Sequence, residues 1–165
     1  MKNKFVEIYG KEAEYHIFSP YRVCPIGAHV DHQHGLVMGF AFDKGVDLLF
    51  TPTDDGQVEL ASRSFEGDIL FDIQAPVQVR NYNWGDYARG AKFALRKRFE
   101  LKRGIRGVLQ GSLPVGGLSS SAAVLVAYVM ALAKANDIAL TKMEIIKIAS
   151  EAEREYIGLN NGILD

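Results

Sequence analysis

The stretch PVGGLSSSAA, residues 114–123, joins a predicted strand to a predicted helix. The strand is GIRGVLQGS at residues 104–112, and the helix is the apolar run AAVLVAYVMALAKA at residues 122–135, which has the length of a buried helix. Glycines let a backbone approach a ligand closely, and a helix start presents unpaired N–H groups and the positive end of its dipole. Serine hydroxyls add hydrogen-bond donors or a metal ligand. The stretch therefore predicts an anion-binding loop between a strand and a helix.

The composition of this loop leaves a second interpretation open. Glycine and serine are also typical of an ordinary flexible turn that ends in a serine N-cap. The lysine of the GxxxxGK[ST] phosphate loop is absent, so the stretch is not a Walker A loop. Its position between a strand and a helix is what favours the anion-binding hypothesis.

The chain before this loop is predicted to form mostly strands. Residues 14–74 are rich in β-branched and aromatic side chains, and turn signals interrupt them, most clearly at residues 54–56 with the sequence DDG. Alternation of apolar and polar residues in QVELASR (57–63) and DILFDIQ (68–74) predicts half-buried antiparallel strands. The run LVMGFAF (36–42) is predicted to be buried on both faces or to lie at the centre of the sheet.

Helical periodicity marks the second half of the chain. Residues 86–100 place apolar side chains on one side and Arg and Lys on the other, which predicts an amphipathic helix. Thr141 is expected to be an N-cap, with Glu144 in the capping-box position and the helix continuing to Tyr156. Strands followed by helices interleaved with one strand predict an α+β domain with helices on one face of a mixed sheet. We expect a single domain over residues 1–165.

Composition excludes several classes of protein. The 165 residues carry 19 Lys plus Arg against 20 Asp plus Glu, a formal net charge of -1, which argues against binding to nucleic acid or to a membrane surface. A single cysteine, Cys24, cannot form an intramolecular disulfide, and no Cys/His cluster offers ligands for structural zinc. No apolar segment is long enough to be a signal peptide or a membrane span. We therefore expect a cytoplasmic protein with no nucleic acid or membrane partner.

Four segments of the chain resemble motifs of one enzyme superfamily, the GHMP small-molecule kinases. The loop at 114–123 is similar to the motif that wraps the ATP phosphates, and residues 84–90 resemble a Trp-x-Asn-Tyr-x-x-Gly segment near the adenine. Residues 19–32 are similar to the N-terminal sugar-kinase signature of the galactokinase branch, and residues 158–165 resemble the segment that supplies that branch's catalytic aspartate. The resemblance implies the N-terminal lobe of a GHMP kinase, with a fold like domain 2 of ribosomal protein S5.

The resemblance also implies which residues carry out catalysis and hold the sugar. Arg22 is expected near the transferred phosphoryl group, where a fixed cation stabilises developing negative charge. Asp165 is the implied general base, or the carboxylate that positions the anomeric hydroxyl of the sugar. The implied sugar-binding positions are Ala28, His29, Asp31 and Gly162.

ATP and Mg²⁺ are the ligands that the resemblance implies for the remaining site residues. Trp84 and Tyr87 are expected to flank the adenine, although each could equally be a core residue. The implied phosphate-binding positions are Pro114, Gly116, Gly117, Leu118, Ser119, Ser120 and Ser121. The implied metal ligands are Glu153 and Ser120, or the neighbouring Ser121. Glu153 also belongs to an acidic series with Glu151 and Glu155, which would fit a plain solvated helix face.

Two departures from galactokinases indicate the sugar. Ala28 stands where galactokinases have a Glu that binds the sugar's 6-hydroxyl, and its absence opens space and removes a negative charge that would repel a C6 carboxylate. The loop at 114–123 is also shorter by one residue. Both features resemble galacturonokinases more than galactokinases. We therefore expect an ATP-dependent sugar 1-kinase acting on galacturonate, with galactose as the alternative substrate.

A catalytically silent sugar or ATP sensor is the competing hypothesis, but a mere binder need not retain Arg22, Glu153 and Asp165. Kinases of this superfamily are longer than this chain and have a C-terminal lobe. We expect that lobe to pack on an exposed apolar face of this chain, and we expect weak or absent activity without it.

Overall fold

The computed structural model describes residues 1–27, 30, 33, 35–113, 119–159, 161–162 and 164. In these ranges the elements are α1 (Lys2–Tyr9), β1 (Tyr15–Ile26), β2 (Met38–Thr53), β3 (Gln57–Ser62), β4 (Ile69–Asp72), α2 (Asp86–Arg96), β5 (Gly104–Gly111), α3 (Ser120–Ala135) and α4 (Lys142–Glu151). A short π-helix, Ala152–Ile157, continues α4 and is called the π-segment below.

The strands form one mixed sheet in the order β1-β2-β5-β3-β4. Every neighbouring pair is antiparallel except β3 and β5, which run parallel. The predicted turn at residues 54–56 joins β2 to β3, and Gly56 has the positive φ of 73° that this turn needs. The predicted α+β class with a mixed sheet is confirmed.

The main core lies between the sheet and helices α2, α3 and α4. Leu48 and Phe50 of β2 point into it, together with most side chains of α3, which is apolar nearly all round. A helix of that composition must be covered on every side, so α3 is the central helix of the layer. The predicted helix at 86–100 ends earlier, at Arg96, and the capping box of Thr141 is present as predicted.

Helix α1 covers the opposite face of the sheet, and the sequence did not predict it. Phe5 is fully buried there against Leu49, Ala61 and Val108. Because side chains alternate along a strand, Leu49 faces α1 while its neighbour Leu48 faces α3. The prediction of helices on one face therefore holds for α2, α3 and α4, and α1 is the exception. Phe5 is the only buried residue of α1, which explains why its apolar pattern was too weak to predict it.

The prediction that residues 36–42 are buried is wrong. Leu36 is 95% exposed, and the first half of β2, from Met38 to Lys44, is exposed on both faces. The register explains this exposure, because the end of β5 at Gly111 lies opposite Val46, so the part of β2 before Val46 pairs with β1 alone. The chain therefore presents an apolar hairpin surface. No helix of the described part is both long and apolar enough to span a bilayer.

Candidate active site

A cavity of about 490 Å³ opens beside the start of α3. Its lining combines aromatic side chains, among them Phe65, Trp84 and Tyr87, with the hydroxyl-bearing Ser120 and Ser121. The first hydrogen bond of α3 runs from the N–H of Ala123 to the carbonyl of Ser119, so the amides before Ala123 have no acceptor within the helix. The cavity thus brings flat apolar walls and a helix N-terminus together, which suits a ligand with an aromatic and an anionic part.

Ser119 does not behave as an ordinary serine N-cap. Its φ is +52°, in the left-handed region, whereas an N-cap residue normally has extended backbone. Its side chain makes no capping hydrogen bond within the described residues. The simple serine-cap interpretation of this loop therefore has no support at Ser119.

Glu153 and Ser121 form a close pair between the π-segment and the first turn of α3. The Ser121 hydroxyl donates to Oε1 of Glu153 over 2.6 Å, and Glu153 is only 3% exposed. Within the described residues no Lys, Arg or His nitrogen lies within 4.0 Å of this carboxylate. Burying a carboxylate without a cation costs free energy, so the pair is suited to hold a positively charged ligand. Ser121, rather than Ser120, is the serine that bonds to Glu153.

The two other glutamates of the series have a different role. Lys97 Nζ lies 2.7 Å from Glu151 Oε1 and 2.5 Å from Glu155 Oε2, and Arg98 Nη2 lies 2.6 Å from Glu151 Oε2. Residues 151 and 155 are a full turn apart and share one side of a helix, while residue 153 faces the other side. The solvated-face interpretation is therefore wrong for Glu153, and Glu151 and Glu155 form ion pairs with Lys97 and Arg98, which follow α2 directly.

The start of α2 is held by a buried carboxylate. Asp86 accepts hydrogen bonds from the backbone N–H groups of Asn81 (3.0 Å) and Tyr82 (2.7 Å), and Arg89 donates to it over 3.1 Å. These bonds fold residues 80–85 back over the helix start. They place Trp84 and Tyr87 at the same cavity, and that the two flank an adenine stays a prediction.

Trp84 is itself fixed by the loop that follows β3. Its indole Nε1 donates to the carbonyls of Glu66 and Gly67, each at 3.2 Å, and its ring lies nearly parallel to Phe65, with centroids 6.3 Å apart. Phe65 was missed by the sequence analysis, because no motif marks it and only the fold brings this loop beside Trp84. Burial, and after it the negative charge of Glu153, raises the pKa of Tyr87 above its ordinary value.

Arg22 lies in β1 beside the end of the chain. A Cβ built on Gly39 would be 3.2 Å from Cδ of Arg22 and 3.0 Å from Cδ1 of Leu164, so both side chains converge on this glycine. The structure thus brings Arg22 next to the residue that precedes Asp165. Gly162 is half-buried. The predicted residues Ala28, His29, Asp31, Pro114, Gly116, Gly117, Leu118 and Asp165 lie outside the described residues.

The donor set of the Ser121–Glu153 pair fits Mg²⁺. Hydroxyl and carboxylate oxygens are the hard ligands that this ion prefers, and it commonly takes only one or two protein ligands and completes its shell with phosphate and water oxygens. Within the described ranges no group of three Asp, Glu, His or Cys side chains forms a ready-made metal site. The pair therefore suits an ion that arrives together with phosphate groups.

Two family models match parts of the chain. Residues 86–165 match the GHMP kinases N terminal domain, and residues 3–52 match the galactokinase galactose-binding signature. A galacturonokinase of Arabidopsis thaliana is 45% identical over 90% of this chain, and a galactokinase of Clostridium perfringens is 34% identical over 100% of it. The chain spans 40% and 44% of the lengths of these two relatives.

Solved structures agree with these matches. Lactococcus lactis galactokinase complexed with galactose superposes on 99% of this chain with a TM-score of 0.92 and 29% identity, and the match covers 44% of that protein. The mevalonate kinase of Methanococcus jannaschii superposes on 92% of the chain with a TM-score of 0.78 and 22% identity, over 49% of its own length. At that identity the second likeness concerns the fold alone.

Proposed function

Since the chain belongs to the GHMP kinase family and carries a galactokinase-type sugar signature, we propose that the whole protein is an ATP-dependent sugar 1-kinase. It transfers the γ-phosphate of ATP to the anomeric hydroxyl of a galactose-type sugar, in the first place galacturonate. The observation that carries this proposal is the buried Ser121–Glu153 pair beside a cavity with aromatic walls. That arrangement places a cation site beside an apolar pocket that can hold a nucleotide base. An ATP-dependent phosphoryl transfer requires both features.

The nucleotide occupies the cavity in this proposal. Its base lies among Trp84, Tyr87 and Phe65, because a purine needs flat apolar walls. Its phosphates meet the unpaired amides at the start of α3, where the helix dipole favours negative charge. Pro114, Gly116, Gly117 and Leu118, which precede α3 in the sequence, complete the phosphate site together with Ser119 and Ser120.

Ser121 and Glu153 hold Mg²⁺ in the proposed site. Bound there, Mg²⁺ would supply positive charge against the negative charge that develops on the transferred phosphate. Glu153 contributes a carboxylate that has no cationic partner among the described residues, and Ser121 orients it through the 2.6 Å hydrogen bond. Ser120 stays available for the phosphates.

Arg22 and Asp165 carry out the transfer step. The anomeric oxygen of the sugar forms a bond to the γ-phosphorus, the bond from that phosphorus to the β–γ bridging oxygen breaks, and the hydroxyl proton passes to the Asp165 carboxylate. Arg22 stabilises the charge on the phosphoryl oxygens. The convergence of Arg22 and Leu164 on Gly39 supports this assignment, since Asp165 follows Leu164 directly.

Ala28 selects the sugar in this proposal, with His29, Asp31 and Gly162 as its further contacts. A small uncharged residue at position 28 accommodates a carboxylate at C6 of the sugar, whereas a Glu there would repel it. The 45% identity to a galacturonokinase, against 34% to a galactokinase, supports the same choice.

A second lobe belongs to the proposal, because the chain spans less than half the length of the relatives it matches. Residues 1–165 form the N-terminal domain of the enzyme. The C-terminal lobe packs on the exposed apolar hairpin surface, where Leu36, Met38 and Phe40 are each more than half exposed.

The test is phosphoryl transfer by the full-length protein from Mg-ATP to galacturonate, glucuronate and galactose side by side. We expect the highest kcat/KM for galacturonate, and we expect Ala28→Glu to lower it at least about tenfold by placing a carboxylate against the sugar's own. Preference for galactose would contradict the assigned substrate. Sugar binding without any transfer would contradict the kinase assignment itself.

A further inference from the structure

Arg80 touches three parts of the candidate site with a single guanidinium. It lies in the irregular segment between β4 and α2, and its Nη1 donates to the carbonyl of Ile157, the last residue of the π-segment. Its Nε lies 3.9 Å from Oδ2 of Asp86, and its guanidinium carbon lies 4.8 Å from the centroid of the Tyr82 ring. Arg80 also lines the cavity, and its side chain is 33% exposed.

The carbonyl that Arg80 binds lies where the chain leaves the π-segment. Gly158 follows with a φ of +79°, and the N–H groups of Gly158 and Leu159 both donate to the carbonyl of Glu153. A Cβ at Gly158 would lie 3.6 Å from Nη1 of Arg80. Arg80 therefore contacts the turn that sets the direction of the chain from residue 158 onward.

Arg80 is itself held from the other side. Asp86 binds the backbone N–H groups of the next two residues, Asn81 and Tyr82, so the backbone around Arg80 is fixed at the start of α2. Tyr82 has a φ of +56°, which is unusual for a residue other than glycine. Tyr156 of the π-segment adds a second tie by donating to the carbonyl of Gln78 over 2.9 Å.

We propose that Arg80 is a positioning residue that fixes the turn at Gly158 and Leu159 relative to the cavity. The inference rests on the proposed function, in which the cavity takes ATP and Asp165 accepts the proton of the sugar. A lysine at position 80 keeps the charge but has a single nitrogen and no planar group. It therefore cannot bond to Ile157 and at the same time replace the guanidinium contacts with Tyr82 and Asp86. A small displacement of this turn would misplace the acceptor carboxylate and lower the rate of transfer more than the affinity for either substrate.

Arg96 provides a matched control. It lies at the end of α2, and its Nη1 donates to the carbonyl of Ala75 in the same irregular segment, but it does not line the cavity. Arg80→Met and Arg96→Met therefore each remove one hydrogen bond from an arginine to a backbone carbonyl, and both bonds involve the irregular segment between β4 and α2. Only the first removes a tie to the π-segment.

The experiment compares Arg80→Met, Arg80→Lys and Arg96→Met in the full-length protein. We expect Arg80→Met to lower kcat at least about tenfold while the KM values for ATP and sugar stay within about threefold, with Arg80→Lys intermediate and Arg96→Met unchanged. A raised KM for ATP with normal kcat would overturn the proposal, since Arg80 would then be a nucleotide ligand. Equal loss in both Met variants, or no loss in Arg80→Met, would overturn it as well.

Hydrogen exchange at the amide of Leu159 gives a readout that does not depend on activity. We expect this amide to exchange about tenfold faster in Arg80→Met and at the wild-type rate in Arg96→Met. If the wild-type protein phosphorylated no sugar, the proposed function would fail, but this exchange difference would still decide whether Arg80 holds the turn. Unchanged exchange in Arg80→Met would overturn the positioning role.

Discussion

Replacing each partner of the Ser121–Glu153 pair in turn should have different effects on stability in the absence of metal. Ser121→Ala removes the 2.6 Å hydrogen bond and leaves a carboxylate that is 3% exposed without that donor. A hydrogen bond to a charged group contributes about 1.5–3 kcal/mol, and the short distance and deep burial place this one in the upper half of that range. We expect the equilibrium constant for folding to fall roughly 45- to 160-fold.

Glu153→Gln should behave differently, because the amide oxygen can still accept the hydrogen bond of Ser121 while the buried charge disappears. Within the described residues no cation lies within 4.0 Å of that charge, so its removal is expected to leave the free energy of unfolding unchanged or to raise it by about 1 kcal/mol. Glu155→Gln is the matched control in the same π-segment. Its side chain is 51% exposed and pairs with Lys97, and the change should cost less than about 1 kcal/mol.

Urea denaturation of the full-length protein, with and without Mg-ATP, measures these differences. We expect Mg-ATP at ten times its dissociation constant to stabilise the wild-type protein by about 1.4 kcal/mol, and we expect the same concentration to stabilise Glu153→Gln much less. The reasoning would be refuted if Glu153→Gln destabilised the protein as much as Ser121→Ala, or if Mg-ATP stabilised Glu153→Gln and the wild type equally.

Three further changes test the fold. Gly104→Ala would place its Cβ 2.0 Å from the carbonyl oxygen of Gln57, so we expect chemical denaturation to show a loss of about 3 kcal/mol in the free energy of unfolding. A loss under about 1 kcal/mol would contradict the close approach of β5 to the start of β3. Tyr128→Phe removes a fully buried hydroxyl that has no hydrogen-bond partner among the described residues. The same measurement should find this variant as stable as the wild type or more stable by about 1 kcal/mol, and a clear loss of stability would point to a partner for the hydroxyl. Burial alone would raise the pKa of Glu151, but its hydrogen bond from Arg98 holds that pKa below the ordinary 4.5. The ion pair therefore stabilises the fold above pH 4.5, and this stabilisation is lost as the pH falls below that value. Glu151→Gln should reduce the fall of the free energy of unfolding at acid pH, and an unchanged fall would argue against the pair.

Local sequence signals predicted the elements whose cause is local. The turn at residues 54–56 depends on a glycine that can adopt a positive φ, and the start of α4 depends on the reciprocal bonds between Thr141 and Glu144. Both act within a few residues. The resemblance to GHMP kinases likewise came from short motifs, and the family matches confirm it.

The exposure of residues 36–42 could not be predicted in this way. An apolar run is typical of a central strand, but whether this run is central depends on where β5 ends, and β5 lies far away in the sequence. The parallel pairing of β3 with β5 is non-local for the same reason. Helix α1 buries one side chain, Phe5, so its periodicity carries little information before the sheet exists to receive it.

The sequence by itself determined the residue types of the site, namely a glycine-serine loop before a helix, an arginine in the first strand and an acidic series near the end. Only the tertiary structure decided that Ser121 meets Glu153, that Phe65 joins Trp84 at the cavity, and that Arg80 binds the end of the π-segment. The physical reason is that a motif specifies chemistry through neighbours along the chain, whereas partners across a core are set by how whole elements pack.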